Sequence, residues 1–178
     1  METEDRRCAV GAWVLVAVAS RHGATLEIGE AVARVLRARG NAVDVRAVED
    51  VTDIVAYDAV VVGSAVYTAH WLPAARELVA EHRDALTTRP VWFFSSGLAT
   101  QPAAAANSPH ELAALATSVG ARGHRSFRGR LDRSVLSFTE RAIIAGARGR
   151  DGDHRDFLAI ERWAGEVADA LADERASV

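Results

Sequence analysis

The stretch Ser20-Arg-His-Gly-Ala-Thr25 combines two hydroxyls, a glycine and the start of a periodic apolar segment, which are the parts a chain uses to hold a phosphoryl group. The first N–H groups of a helix point at an incoming anion, and the helix dipole favours its charge. Gly23 lets the backbone approach closely, and Ser20 and Thr25 can donate hydrogen bonds. No Lys follows a second Gly, so this is not the P-loop of nucleotide hydrolases. Nor is the spacing Gly-x-Gly-x-x-Gly, which disfavours a dinucleotide. On spacing alone the stretch is equally an ordinary turn with Thr25 as the helix cap.

Two later stretches carry complementary chemistry. Ser64-Ala-Val-Tyr-Thr-Ala-His-Trp71 gathers Tyr67, His70 and Trp71, any of which can stack on a planar cofactor or simply cap a core. His70 is also a candidate proton donor, although a structural histidine at an interface is the commoner case. Ser95-Ser-Gly-Leu-Ala-Thr100 supplies small residues whose amides can face the edge of a ring system.

The elements that must position these stretches are legible from periodicity. Trp13–Ala19 is a continuous apolar, β-branched run of the kind buried on both faces of a parallel sheet. From Thr25 to Arg39, Ile28, Val32, Val35 and Leu36 share one helical face, and Gly40 closes the element. Ala42–Ala47 alternates like an edge strand, and Ala59–Gly63 is a second buried run. A helix over 72–82, a strand over 91–95 after Pro90, a helix from Pro109 to about Val119, a strand around 124–128 and a last helix carrying Ile160, Trp163, Val167 and Leu171 continue the alternation. Right-handed crossovers then give a doubly wound, five-stranded parallel α/β sheet with helices on both faces. In such a sheet ligands sit outside the carboxyl ends of the strands, where all three stretches fall.

One domain is expected for 178 residues with 49% hydrophobic content. Leu131 to Asp153 interrupts the alternation and reads as an insertion into that domain. Residues 121–150 hold eight Arg against Asp132 and Glu140, a basic region within a chain of net charge −3. It is as consistent with a solvated loop as with a surface facing anions or a membrane. All 21 basic residues are Arg, which reflects first the codon bias of a GC-rich genome and only second a preference for bidentate anion contacts.

Several classes are excluded. The small net charge argues against nucleic acid as a partner. The single cysteine, Cys8, cannot form a dithiol or a Cys-rich metal site within one chain, so redox chemistry must come from a bound cofactor. The six histidines lack HxxxH or HExxH spacing, so no metal is expected, and no Gly-x-Ser-x-Gly elbow supports a hydrolase. The run Val10 to Ala19 is too short to span a bilayer, and the residues before it are not the basic start of a signal peptide. A cytoplasmic protein is expected.

The three stretches resemble, in order and position, those of the flavodoxin family. Ser20–Thr25 is similar to its phosphate loop, and the two later loops are similar to the pair that sandwiches the isoalloxazine. Within the family, Ser-Arg-x-Gly-x-Thr, the stretch from Gly63 to His70 and the Arg-containing insertion before the Trp163 helix most resemble the branch that includes menaquinone-dependent protoporphyrinogen oxidase. His22 stands where flavodoxins usually carry Thr. The resemblance implies a flavodoxin-like sheet of order 2-1-3-4-5 and FMN as cofactor. It implies cofactor contacts from Ser20, Arg21, His22, Gly23, Ala24 and Thr25, from Ala65, Val66, Tyr67 and Thr68, and from Ser96, Gly97 and Leu98, with no catalytic side chain required. The expected function is an FMN-dependent oxidoreductase with a small-molecule or quinone redox partner. The alternatives are an electron carrier between proteins and a flavin-free binding module. Peripheral membrane contact through 131–153 and a homodimer are both compatible with this reading.

Overall fold

In the computed structural model, which describes residues 11–97, 110–146 and 151–177, strand β1 (Trp13–Ala19) runs through the centre of a sheet, and every residue after Trp13 is buried. A fully buried strand needs apolar side chains on both faces, which is why this run does not alternate. β1 pairs in parallel with β2 (Ala42–Ala47) on one side and β3 (Ala59–Tyr67) on the other. β5 (Val91–Gly97) and β6 (Gly123–Arg128) follow, giving the order β2-β1-β3-β5-β6. The short β4 (His70–Trp71) folds back antiparallel on the end of β3. Setting that return aside, the parallel order is the expected 2-1-3-4-5.

Val14, Val16 and Val18 face one cluster with α1 (Ala24–Ala38) and α6 (Phe157–Ala176), whose Ile28, Val32, Leu36, Ile160, Trp163 and Val167 cover them. Leu15, Ala17 and Ala19 face the opposite cluster with α2 (Pro73–Glu81), α3 (Arg83–Thr87) and α4 (His110–Val119). Phe94 fills the first cluster so closely that a Cβ on Gly63 would lie 2.0 Å from its ring. Burying one such large apolar side chain stabilises the fold by roughly 2 kcal/mol.

Three boundaries differ from the sequence reading. β3 runs to Tyr67 rather than ending at Gly63, because β4 supplies a ladder partner for Val66 and Tyr67. β5 runs on through Ser96 and Gly97, paired with β6. The helix expected over 72–82 is α2, and a separate turn of helix, α3, follows it. The start of the fourth helix at Pro109 lies outside the described residues.

The interrupting segment forms a subassembly of its own. β7 (Arg130–Leu131) pairs antiparallel with β8 (Gly152–Asp153), and between them lie a 3-10 turn at 133–135 and α5 (Phe138–Gly146). Leu131, Leu136 and Ile144 make a small separate core there. No helix among the described residues is long and apolar enough to cross a membrane.

Candidate functional site

The chain turns from β1 into α1 at Gly23, which has φ +82° and carries the N-cap position. L side chains rarely adopt that conformation, so glycine suits the turn. A Cβ there would meet nothing within 4 Å. Thr25 is not the cap that the ordinary-turn reading requires: the left-handed Gly23 takes the cap position two residues earlier, and Thr25 lies inside the first turn, 3% exposed. No side chain caps α1. Its first N–H groups therefore have no helical acceptor and no capping oxygen, which is the donor set a phosphoryl group takes.

Register brings the other two stretches alongside. Ala19 pairs with Ser64, Ser64 with Ser95, and Ala65 with Ser96. The second stretch is a hairpin rather than a loop. Ala65, Val66 and Tyr67 end β3, and Thr68 (φ 48°) and Ala69 (φ 64°) make the two-residue turn. Two consecutive left-handed residues are what a type I′ turn requires, usually supplied by Asn-Gly. Here neither is glycine, at a cost of about 1 kcal/mol each.

Arg21 joins the first stretch to the second, with its guanidinium 4.7 Å from the centre of the Tyr67 ring. Burial and the nearby Glu140 carboxylate push the Tyr67 hydroxyl pKa up, and Arg21 opposes them. Ser96 and Gly97 end β5, and Gly97 O accepts a hydrogen bond from Gly129 N at 2.8 Å. Leu98 lies outside the described residues.

Trp71 and His70 turn to other work. Trp71 is 2% exposed, packs edge-on against Phe93 with centroids 5.1 Å apart, and donates from Nε1 to Ser95 Oγ at 2.8 Å. It caps the core. Ser95 Oγ also lies 2.7 Å from His124 Nε2, and burial pushes the His124 pKa down to about 4. With the Trp71 N–H already on Ser95 Oγ, the Ser95 hydroxyl donates its own hydrogen bond to Nε2 of the neutral ring. His70 Nδ1 is engaged by Glu111 of α4 at 2.6 Å, and Glu111 also takes Arg76 at 2.8 Å. The His70 hydrogen bond is the main cause of a lowered Glu111 pKa.

Two residues that the sequence reading did not single out complete the site. Glu140 Oε1 lies 3.2 Å from both Arg21 Nη1 and His22 Nε2, and its side chain is 13% exposed. Glu140 Oε2 accepts from Ser137 N at 2.8 Å while Glu140 N donates to Ser137 Oγ at 3.2 Å, a capping box that starts α5. The Ser137 amide is the largest of the bonds that hold the Glu140 pKa down at about 2. Arg155, its side chain 3% exposed, donates to Ala24 O at 3.2 Å and to Glu27 Oε2 at 2.7 Å. Ser137-Phe-Thr-Glu140 was a readable signal for the first. Nothing local marks the second.

A cleft of about 380 Å³ lined by Ala12, Asp58, Pro90 and Leu171 lies at the opposite, amino-terminal ends of the strands, away from these residues. Among the described residues no group of three or more His, Cys, Asp or Glu is placed to hold a metal ion.

The fold is shared with solved flavodoxins. One from the domain Archaea is 15% identical, with a TM-score of 0.59 and coverage of 90% of this chain and 99% of that one. The flavodoxin of Streptococcus pneumonia TIGR4 is 20% identical, with a TM-score of 0.59 and coverage of 90% and 100%. Rubredoxin oxygen:oxidoreductase from Desulfovibrio gigas is 16% identical at a TM-score of 0.63, with 92% of this chain matching 37% of that longer one. The search among curated proteins finds no match. The flavodoxin-domain model matches residues 15–156, the span that contains all three stretches and α5, so this chain belongs to the flavodoxin-domain family, whose cofactor is FMN.

Proposed function

We propose that this chain binds FMN at the carboxyl ends of β1, β3 and β5 and uses it for redox chemistry. The observation that carries the reading is the uncapped start of α1 behind Gly23, adjacent to a hairpin whose Tyr67 ring is already held by Arg21 of the same loop. In this reading the amides of Arg21–Thr25 and the Ser20 hydroxyl hold the phosphate. Ala65–Thr68, Ser96 and Gly97 line the ring, and the hairpin excludes water from one side of it. When bound, the flavin supplies the electron transfer, and the protein supplies orientation and tuning.

The enzymatic form of the reading is an FMN-dependent, quinone-linked oxidoreductase of the protoporphyrinogen oxidase type. Its support is the insertion, which meets the phosphate loop through Glu140 and presents Phe138 at 88% exposure and Ile143 at 52%. Exposed apolar side chains on a segment rich in arginine suit peripheral contact with a membrane surface, where a quinone would be met. The carrier reading draws on a different observation, that flavodoxins are matched over 99–100% of their own length. Turnover separates the two. The FMN-loaded protein is reduced photochemically and mixed with a soluble menaquinone analogue, and then cycled with a porphyrinogen as donor. Multiple turnovers support the enzyme; reoxidation only by a protein acceptor supports the carrier; failure to take up FMN at all defeats both.

A further inference from the structure

Three of the six residues of the phosphate loop are tied to the segment 131–155. Arg21 and His22 meet Glu140 at 3.2 Å, and the Ala24 carbonyl meets Arg155 at 3.2 Å. Both anchors are themselves held. The second carboxylate oxygen of Glu140 is bound to Ser137 N at the first turn of α5. Arg155 bonds Asp153 at 2.8 and 2.6 Å and Glu27 at 2.7 Å, and stacks on Phe157 at 4.9 Å. Glu27 also takes Arg130 at 3.2 Å, so the entry and exit of the segment close on the same helix turn. Toward the sheet, by contrast, the loop is tied by the Arg21 guanidinium on the Tyr67 ring at 4.7 Å, while α1 has no side-chain cap and Gly23 brings no side chain of its own.

A binding loop that must be ordered when its ligand arrives loses affinity to that ordering, whereas a loop ordered beforehand does not. We infer that the insertion and its exit as far as Arg155 form a clamp on the phosphate loop, with Glu140 and Arg155 as positioning residues that preorganise its amides for the flavin's phosphate. The inference rests on the FMN reading above for its ligand, but not for its geometry. It also gives His22 a role: the imidazole is bonded by Glu140, and the loop backbone is left to the phosphate.

A rival account has Glu140 as a counter-ion that neutralises Arg21 and His22 and competes with the phosphate. The two predict opposite signs. Affinities for FMN and for riboflavin, which lacks the phosphate, are measured by fluorescence titration on the full chain and on Glu140→Ala, Glu140→Gln and Arg155→Lys. Amide hydrogen exchange at residues 20–25 is followed on the same proteins without flavin. The clamp predicts that Glu140→Ala binds FMN at least tenfold more weakly, binds riboflavin within twofold of the unaltered chain, and exchanges its loop amides at least tenfold faster. Glu140→Gln, which keeps an acceptor oxygen, falls between the two. FMN binding that is unchanged or tighter, equal losses for the two flavins, or unchanged loop exchange overturns the inference. Should Glu140→Ala fail to fold, Glu140→Gln and Arg155→Lys carry the same comparison, with at least a threefold selective loss required. If the unaltered chain binds neither flavin, the FMN reading fails, and the exchange data alone decide the clamp.

Discussion

The guanidinium of Arg21 stands 4.7 Å from the centre of the Tyr67 ring, which makes the loop after β1 and the hairpin after β3 neighbours through a cation on an aromatic face. Such a contact is worth about 0.5–1 kcal/mol when partly exposed. A ring fixed in this way is a ready wall for a second planar group. Tyr67→Ala is therefore expected to weaken FMN binding by about 1–1.5 kcal/mol, roughly tenfold, with Tyr67→Phe close to the unaltered protein. Flavin fluorescence quenching measures both. Equal behaviour of the Ala and Phe variants would remove Tyr67 from the site.

Gly23 tests the loop from the backbone side. Because a Cβ there meets open space, Gly23→Ala introduces no clash, and its effect comes from the φ of +82° alone. Thermal unfolding should show a loss of about 1 kcal/mol. FMN affinity should fall further than riboflavin affinity. A variant as stable as the parent, with unchanged binding, would mean that the turn tolerates a different conformation.

The Thr68-Ala69 turn offers a gain rather than a loss. Replacing Ala69 with Gly, or Thr68 with Asn, relieves a left-handed conformation that the native residues adopt at a cost. Each change should raise stability by about 0.5–1 kcal/mol in denaturant titrations. A fall in stability would mean that Thr68 or Ala69 makes a compensating contact.

His124 sets an acid limit. Its folded pKa is near 4 against 6.5 in the unfolded chain, so between those values the unfolded chain binds a proton that the folded one refuses. Stability is full above pH 6.5, falls as the pH drops toward 4 and then levels off for this group. The ring is desolvated on the side that meets Ser95 Oγ but the residue keeps an exposed side on its strand, so screening limits the change to about 1 kcal/mol. Glu140 and Asp153, both held down at about 2, add a second decline at lower pH, from the ordinary carboxylate range toward 2. His124→Gln should remove the upper decline and keep the lower. Urea titrations at stepped pH resolve the two windows.

Sequence and structure agree where burial is decided locally. Val14 through Ala19 is apolar at every position, and only a strand covered on both faces explains that. The Ile28, Val32 and Leu36 stripe places α1 for the same reason. What sequence did not show depends on tertiary pairing. β3 continues past Gly63 because Trp71 and His70 come back to pair with it, and two left-handed residues without glycine give no turn signal. Segment 131–153 looked irregular because its core is three residues, Leu131, Leu136 and Ile144, scattered among Arg, Ser and Gly. The capping box at Ser137 and Glu140 is local and readable, yet the docking of that carboxylate on Arg21 and His22 joins residues more than a hundred positions apart. Arg155 lies further still from Ala24, and only folding brings them together.

The most direct test of the account is a titration of the purified chain with FMN, followed by flavin fluorescence and visible absorption, with riboflavin run in parallel. The account predicts saturation at one FMN per chain with quenched fluorescence, and markedly weaker binding of the flavin that lacks a phosphate. No uptake of FMN, or equal affinity for both flavins, would contradict a phosphate held at the start of α1.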